Sequence, residues 1–233
     1  MFKFKSWAIL ICLFTLIMTT TAFAQDYRTI TVTGNADLKV MPDKASVVVS
    51  VENTDRDSKV ASLHNAQIMQ SIQKAMLGLS ITKDKMKTTN YNLYPVYDVK
   101  NNDKITGYTV TNELTVEVDN IESLGNVIDT AIKSGATNIR AVSFGLQNEQ
   151  GYRDAVLQKA IIDAKNKAQI IASSLNKNVV NIVSVSEGNT YVQPKNVNRA
   201  MYMKANDIAD ESTPIQSGDI TIKSNITIVF EIN

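Results

Sequence analysis

The stretch Ile30-Thr31-Val32-Thr33-Gly34-Asn35-Ala36-Asp37-Leu38-Lys39-Val40 alternates apolar or small residues with polar ones throughout, the period of a strand with one face buried. Met41-Pro42-Asp43-Lys44 reads as a turn, and Ala45, Val47, Val49 and Val51 resume the alternation. The pair predicts a hairpin and an antiparallel sheet at the start of the fold.

Downstream of this pair the period changes. Asn53 to Ser58 offers several helix-capping side chains, and Ala61, Ile68, Ile72, Ala75, Met76 and Leu79 then fall on one helical face, with Gly78 marking the end. Two further strands, Met86 to Asp98 and Ile105 to Val118, are joined by the polar tip Lys100 to Lys104. On the latter strand Tyr108, Val110, Leu114, Val116 and Val118 share a face with Asn112. This ββαββ order predicts one helix covering a four-stranded sheet. A short helix capped by Asp119 or Asn120 follows, with a stripe of Ile121, Leu124, Val127, Ile128, Ala131 and Ile132 that ends at Gly135. A strand over Ile139 to Leu146 leads to the longest helix, Gln150 to about Asn176. There Ala160, Ala164, Ala168 and Ala172, backed by Val156, Ile161, Ile171 and Leu175, allow close approach to a sheet. Val179 to Glu187 and Asp219 to Ile232 complete the strands. The class is α+β, mostly antiparallel sheets with covering helices: a ββαββ unit (25–119) followed by an αβαββ unit (120–233). The second unit contains the segment 188–218, whose length without a clear period marks it as functional, disordered or partner-binding.

The chain opens with Lys3 and Lys5, an apolar run from Trp7 to Met18, and Ala22-Phe23-Ala24. This is the pattern of a signal peptide, residues 1–24, cleaved before Gln25. The apolar run is shorter than the roughly 18 residues a membrane span needs, and no later run approaches that length. Cys12, the only cysteine, lies inside this segment and follows Leu10 and Ile11 rather than small residues, which argues against a lipid anchor. The exported chain is therefore expected to lack thiol nucleophiles, disulfides and cysteine metal sites. Without Lys3 and Lys5, 22 basic side chains face 23 acidic ones, so no nucleic-acid partner is expected. An exported, disulfide-free protein of this size suits a bacterial periplasm.

Several motifs occur in a fixed order: Ile30-Thr31-Val32-Thr33-Gly34 with Pro42-Asp43-Lys44-Ala45, Tyr94-Pro95-Val96-Tyr97, Gly107-Tyr108-Thr109-Val110-Thr111-Asn112, and Ile128-Asp129-Thr130-Ala131. Ser134-Gly135-Ala136, Ser143-Phe144, Ala160 to Ala168 and Thr213-Pro214-Ile215-Gln216-Ser217-Gly218 follow. In this order the chain resembles the SIMPL-domain family of periplasmic and outer-membrane-associated proteins, of the periplasmic immunogenic and oxidative-stress-defence type. The resemblance implies an α+β fold, self-assembly into ring-like or hollow oligomers, and a part in envelope or oxidative-stress tolerance. It supplies no catalytic residues. Where the family often has glycine after Leu175, this chain has Asn176, which suits the same left-handed helix end.

The catalytic inventory is thin. His64 is the only histidine, and no Gly-x-Gly or Gly-x-Ser-x-Gly occurs. Asp55-Arg56-Asp57 lacks the rest of an EF-hand loop and reads as helix capping, and Asp207, Asp210 and Glu211 read as a solvated patch. Three helices and the terminus Phe230-Glu231-Ile232-Asn233 argue against an outer-membrane barrel. Neither an enzyme nor a bound cofactor or metal is expected. Met201, Tyr202 and Met203 read as an apolar docking cluster, or as a weak Cu(I) site. Tyr91, Tyr94, Tyr97 and Tyr108 gather on the second strand pair, as cross-strand partners or as an aromatic surface. Asn112, on an apolar face, reads as a hydrogen-bonded lock between the halves. The expected partner is the protein itself, with peripheral outer-membrane association and Met201, Tyr202, Met203, Asn112 and Phe230 as contact residues. The alternative is a ligand or copper carrier built on Met201, Met203 and the tyrosines. Deleting Asn196 to Ala205 is expected to lower the oligomeric mass in light scattering while leaving the circular dichroism spectrum unchanged.

Overall fold

The computed structural model describes residues 28–100, 103–193, 215 and 217–233. The fold is α+β, with two antiparallel sheets and three α-helices among the described residues. The strands are β1 (Thr29–Val40), β2 (Lys44–Asp55), β3 (Met86–Tyr97), β4 (Ile105–Val118), β5 (Asn138–Gly145), β6 (Val179–Glu187), β7 (Tyr191–Gln193) and β8 (Ile220–Ile232). The helices are α1 (Ser58–Gly78), α2 (Leu124–Lys133) and α3 (Glu149–Ser174).

The first sheet has the order β3-β4-β2-β5. Ala45, Val47, Val49 and Val51 of β2, Leu114, Val116 and Val118 of β4, and Val142 and Phe144 of β5 form one buried face. Met69, Ile72 and Met76 of α1 and Leu124, Val127, Ile128 and Ala131 of α2 complete that core. Full burial of each valine, leucine, isoleucine, methionine or phenylalanine among them contributes about 1.5–3 kcal/mol. Asp57 caps α1 by accepting the backbone N–H of Lys59 at 2.7 Å, and Asp55 accepts the N–H of Asp57, so this acidic pair serves capping as the sequence suggests. Asn120 rather than Asp119 caps the turn that opens α2, while Asp119 pairs with Lys85.

The second sheet has the order β1-β8-β6, with β7 also on β8. Ile220, Ile222, Ile226, Ile228 and Phe230 point from β8 toward α3, whose Val156, Ala160, Ala164, Ala168 and Ala172 are buried against the sheet. Ile171 and Leu175, expected to back this stripe, are exposed because they lie off the alanine face. The helix ends in a Schellman turn: Asn176 has φ 54°, its N–H reaches Ser173 O, and the Lys177 N–H reaches Ala172 O. Asn176 thus takes the left-handed position expected of it.

The expected hairpin of β1 with β2 does not form. β1 pairs with β8 along its whole length, from Thr29 opposite Glu231 to Val40 opposite Ile220, and β2 lies between β4 and β5. The physical reason is packing. A Cβ at Gly34 would collide with the Ala160 carbonyl oxygen and lie 2.8 Å from Ala164 Cβ, so β1 fits under the alanine face of α3, whereas β2 presents larger valines to the first core. The four-stranded sheet therefore takes β5 instead of β1, and two helices, not one, cover it. Both sheets draw strands from each side of residue 119, although the element order is the expected one apart from the added short strand β7. The chain crosses between sheets at a bonded corner. Asp43 N–H donates to Gly145 O at 3.2 Å, Gln147 N–H donates to Asp43 Oδ1 at 2.7 Å, and Gln147 Nε2 donates to the carbonyls of Asp43 and Asp119.

Among the described residues no helix is long and apolar enough to cross a membrane. The packing at Gly34 yields a paired test by urea denaturation. Gly34→Ala is expected to destabilise by about 1–3 kcal/mol through overpacking. Gly78→Ala, where an added Cβ meets no atom within 4 Å, is expected to be neutral or to stabilise by up to about 1 kcal/mol.

Candidate functional site

The described residues hold no cluster of three or more His, Asp or Glu arranged for a metal ion. His64 lies exposed on α1, beside the buried position Asn65. Asn65 was not singled out in the sequence, yet it is the polar lock of the first core. Its Nδ2 donates to Val51 O at 3.1 Å, Asn53 Oδ1 at 2.9 Å and Val110 O at 3.4 Å. The available signal was its place in the buried helical series Ala61, Asn65, Met69, Ile72, Met76.

The anticipated contact residues are not brought together. Asn112 is 9% exposed on β4, opposite Val51 and Tyr91, so it sits inside the first sheet and joins no two halves. Its position on an apolar strand face is the one the alternation gave; Asn65, too, bonds only within residues 25–119. Phe230 is 3% exposed and belongs to the core of the second sheet. Met201, Tyr202 and Met203 lie outside the described residues, as does most of the 188–218 segment. The tyrosines do not form one surface: Tyr91 stands opposite Asn112 on the helix side, whereas Tyr94 stands opposite Thr109 on the other face. Both belong to β3, the edge strand, and both are exposed, which fits neither buried cross-strand pairs nor a single aromatic platform.

The geometry instead singles out the edges of the second sheet. The outer edge of β1 is tied to α3 at its middle, through the backbone of Thr33 and Asn35. Asp163 Oδ2 accepts the Asn35 backbone N–H at 2.8 Å, Lys167 Nζ donates to Thr33 O at 3.0 Å, and the two side chains pair at 2.7 Å. The Lys167 hydrogen bond, helped by the Asn35 N–H, lowers the pKa of Asp163 below the usual carboxylate value of 3.8.

The opposite edge is open among the described residues. β6 pairs only with β8 there, and α3 lies over β1 and β8 but barely reaches β6. Val180 (54%), Ile182 (45%), Val183 (44%) and Val185 (56%) are exposed along it. No charged residue occurs from Asn178 to Ser186, while Lys177 and Glu187 flank the run. Beside β6 runs an open groove of about 530 Å³, lined by Lys165, Gln169 and Ser173 of α3, by Lys177, Val179 and Ile182, and by Phe230 at its base. An uncharged, apolar edge strand with free backbone groups is a template for pairing with another chain. The sequence signal for this edge is the unbroken lack of charge. The irregular spacing of its apolar residues, caused by bulges at Val180 and Val183, hides it from a search for strict alternation.

A family model for SIMPL, described as a protein of unknown function (DUF541), matches residues 30–230. This chain belongs to the SIMPL family. Within it, a 26 kDa periplasmic immunogenic protein of Brucella melitensis is 27% identical over 224 residues, covering 91% of this chain and 90% of the relative. The protein of the same name from Brucella abortus matches to the same extent. An uncharacterized protein, YggE of Escherichia coli, is 25% identical over 205 residues, 87% of this chain and 82% of the relative. The SIMPL match spans β1 to β8, so both sheets and the open edge fall inside the family's boundaries.

The tied edge generates a test by denaturation across pH, comparing the SIMPL chain with its Asp163→Asn variant. Because folding depresses the Asp163 pKa, the wild-type advantage is fully present above the unfolded value of about 3.8. It is lost as pH falls through the lower folded value. An advantage that survives full acidification would show that the carboxylate does not secure β1.

Proposed function

We propose that this protein is an exported, non-enzymatic component of the bacterial periplasm that assembles with copies of itself and contributes to envelope or oxidative-stress tolerance. The observation that carries the assembly is the β6 edge, apolar, uncharged and open among the described residues, whereas α3 ties two backbone groups of the β1 edge. An apolar edge strand without charges is a template for pairing with another chain.

The periplasmic assignment draws on the N-terminal pattern ending at Ala24 and on relatives whose names place them in the periplasm. Peripheral contact with the outer membrane and the stress role rest on family likeness. The non-enzymatic reading draws on the lone, exposed His64 and on a described surface whose acidic side chains serve as caps and edge ties, as Asp57 and Asp163 do. With Tyr91 and Tyr94 on opposite faces, no geometry among the described residues favours the carrier reading.

Light scattering coupled to size exclusion across a dilution series tests the assembly. The exported chain is expected to elute at a multiple of its monomer mass and to hold that mass on dilution to the micromolar range. A monomer at every concentration would end this reading.

A further inference from the structure

We infer that the outer face of the second sheet, turned away from α3, binds a sugar chain at a polar groove between β1, β8 and β7. This goes beyond self-assembly and uses a different surface from the β6 edge.

The groove has a volume of about 390 Å³ and is lined by Asn35 and Asp37 of β1, Lys223 and Asn225 of β8, and Tyr191 of β7. That size lies within the range of small-ligand sites, about 300–1,000 Å³. Strand register brings the five side chains together. Asn35 stands opposite Asn225 and Asp37 opposite Lys223, and Tyr191 stands opposite Lys223 from the other side of β8. Along β8 they alternate with Ile222 and Ile226, which are buried toward α3, so all five belong to the face away from the helix.

The backbone around the groove is held in place. The turn between β6 and β7, which carries Tyr191, is bonded at three points. Gly188 N–H donates to Asn225 O at 3.0 Å, the Thr190 and Ser224 hydroxyls share a hydrogen bond of 2.8 Å, and Arg153 Nη1 of α3 donates to Thr190 O at 2.6 Å. Arg153 is itself paired with Glu149 at 2.6 Å. Gly188 leaves room for the Asn225 amide, since a Cβ there would stand 2.3 Å from Asn225 Nδ2. The groove is thus formed before any ligand arrives.

The side-chain chemistry selects the ligand. Each asparagine amide offers a donor and an acceptor side by side, while Asp37 adds acceptors and Lys223 adds donors. Hydroxyls both donate and accept, so neighbouring hydroxyls of a sugar match this mixed set. The ring of Tyr191, 45% exposed, supplies an apolar plane for the C–H face of a pyranose. Asp37 and Lys223 cancel in charge, and neither has another ion-pair partner among the described residues. A phosphate or nucleotide therefore gains no net attraction. A protein partner needs an apolar core to its interface, and the groove offers one tyrosine.

Beyond the groove the face continues without charge. Thr33, Thr227 and Ser186 form the next row and Thr31, Val229 and Ser184 the one after it, each about 7 Å further along the strands. The Thr33 and Thr227 hydroxyls lie 3.3 Å apart. Hydroxyl rows leading away from a stacking residue suit linked sugars better than a single one.

Calorimetry on the exported chain tests this with two probes, the tetramers of β-1,4-linked N-acetylglucosamine and of β-1,4-linked glucose. Binding is expected to be roughly tenfold tighter for a tetramer than for its dimer, which cannot span both groove and hydroxyl rows. Tyr191→Ala is expected to weaken binding roughly tenfold, and Tyr191→Trp, which keeps the stacking plane, to preserve it. That contrast separates lost stacking from lost folding. Gly188→Ala is expected to weaken binding by displacing the Asn225 amide. Because the ligand is neutral, affinity is expected to hold as salt rises. Preference for the N-acetylated chain would make the cell-wall glycan the source, and equal or better binding of the glucose chain another exported polysaccharide; both results support a sugar site. No binding of either tetramer at millimolar sugar, full affinity in Tyr191→Ala, or loss of binding in salt would each overturn the inference. The sugar titration and the mass in light scattering are separate readouts, so either reading can fail alone.

Discussion

The close approach of α3 to β1 at Gly34 is the constraint on which the second sheet depends. Ala160, Ala164, Ala168 and Ala172 form a face with no side chain larger than a methyl, and Gly34 removes even that from the strand below. The helix can then sit low enough for Asp163 and Lys167 to reach past the sheet and bind the outward N–H of Asn35 and C=O of Thr33. One contact thus fixes the helix over β1 and β8 and satisfies two backbone groups that an edge strand would leave open. By drawing the helix to the β1 side, it also leaves β6 uncovered.

That choice forces the chain to divide its first two strands between sheets. With β1 held under α3, the link Met41 to Asp43 becomes a crossing rather than a hairpin turn, and the return crossing follows β5. Asp43 and Gln147 tie the two crossings together, and the bond from Gln147 to the Asp119 carbonyl brings in the chain between β4 and α2. The corner joins three passes of the chain through backbone and short polar side chains, so the two sheets are linked by hydrogen bonding as well as by covalent continuity.

The faces of the elements were legible in the sequence, but their neighbours were not. Alternation over β8 and β4 and the alanine series of α3 name the buried side of each element, because a period of two or 3.6 is a local property of the backbone. Which strand lies alongside depends on side-chain volume across the interface. The difference between Gly34 with Ala36 on β1 and Val47 with Val49 on β2 was visible in the sequence, but its meaning required knowing that α3 would be the partner. The turn itself carried a warning, since Met41-Pro42-Asp43 lacks the Asn-Gly or Asp-Gly pair favoured in tight hairpins. The candidate site was harder to see. The strand Val179 to Glu187 was read from the sequence, but its place at the edge of a sheet was not, and the absence of charge draws less notice than a motif. Asn65 escaped for a related reason: a polar residue in an apolar helical series looks like a gap in the stripe until the strand carbonyls it bonds are in place.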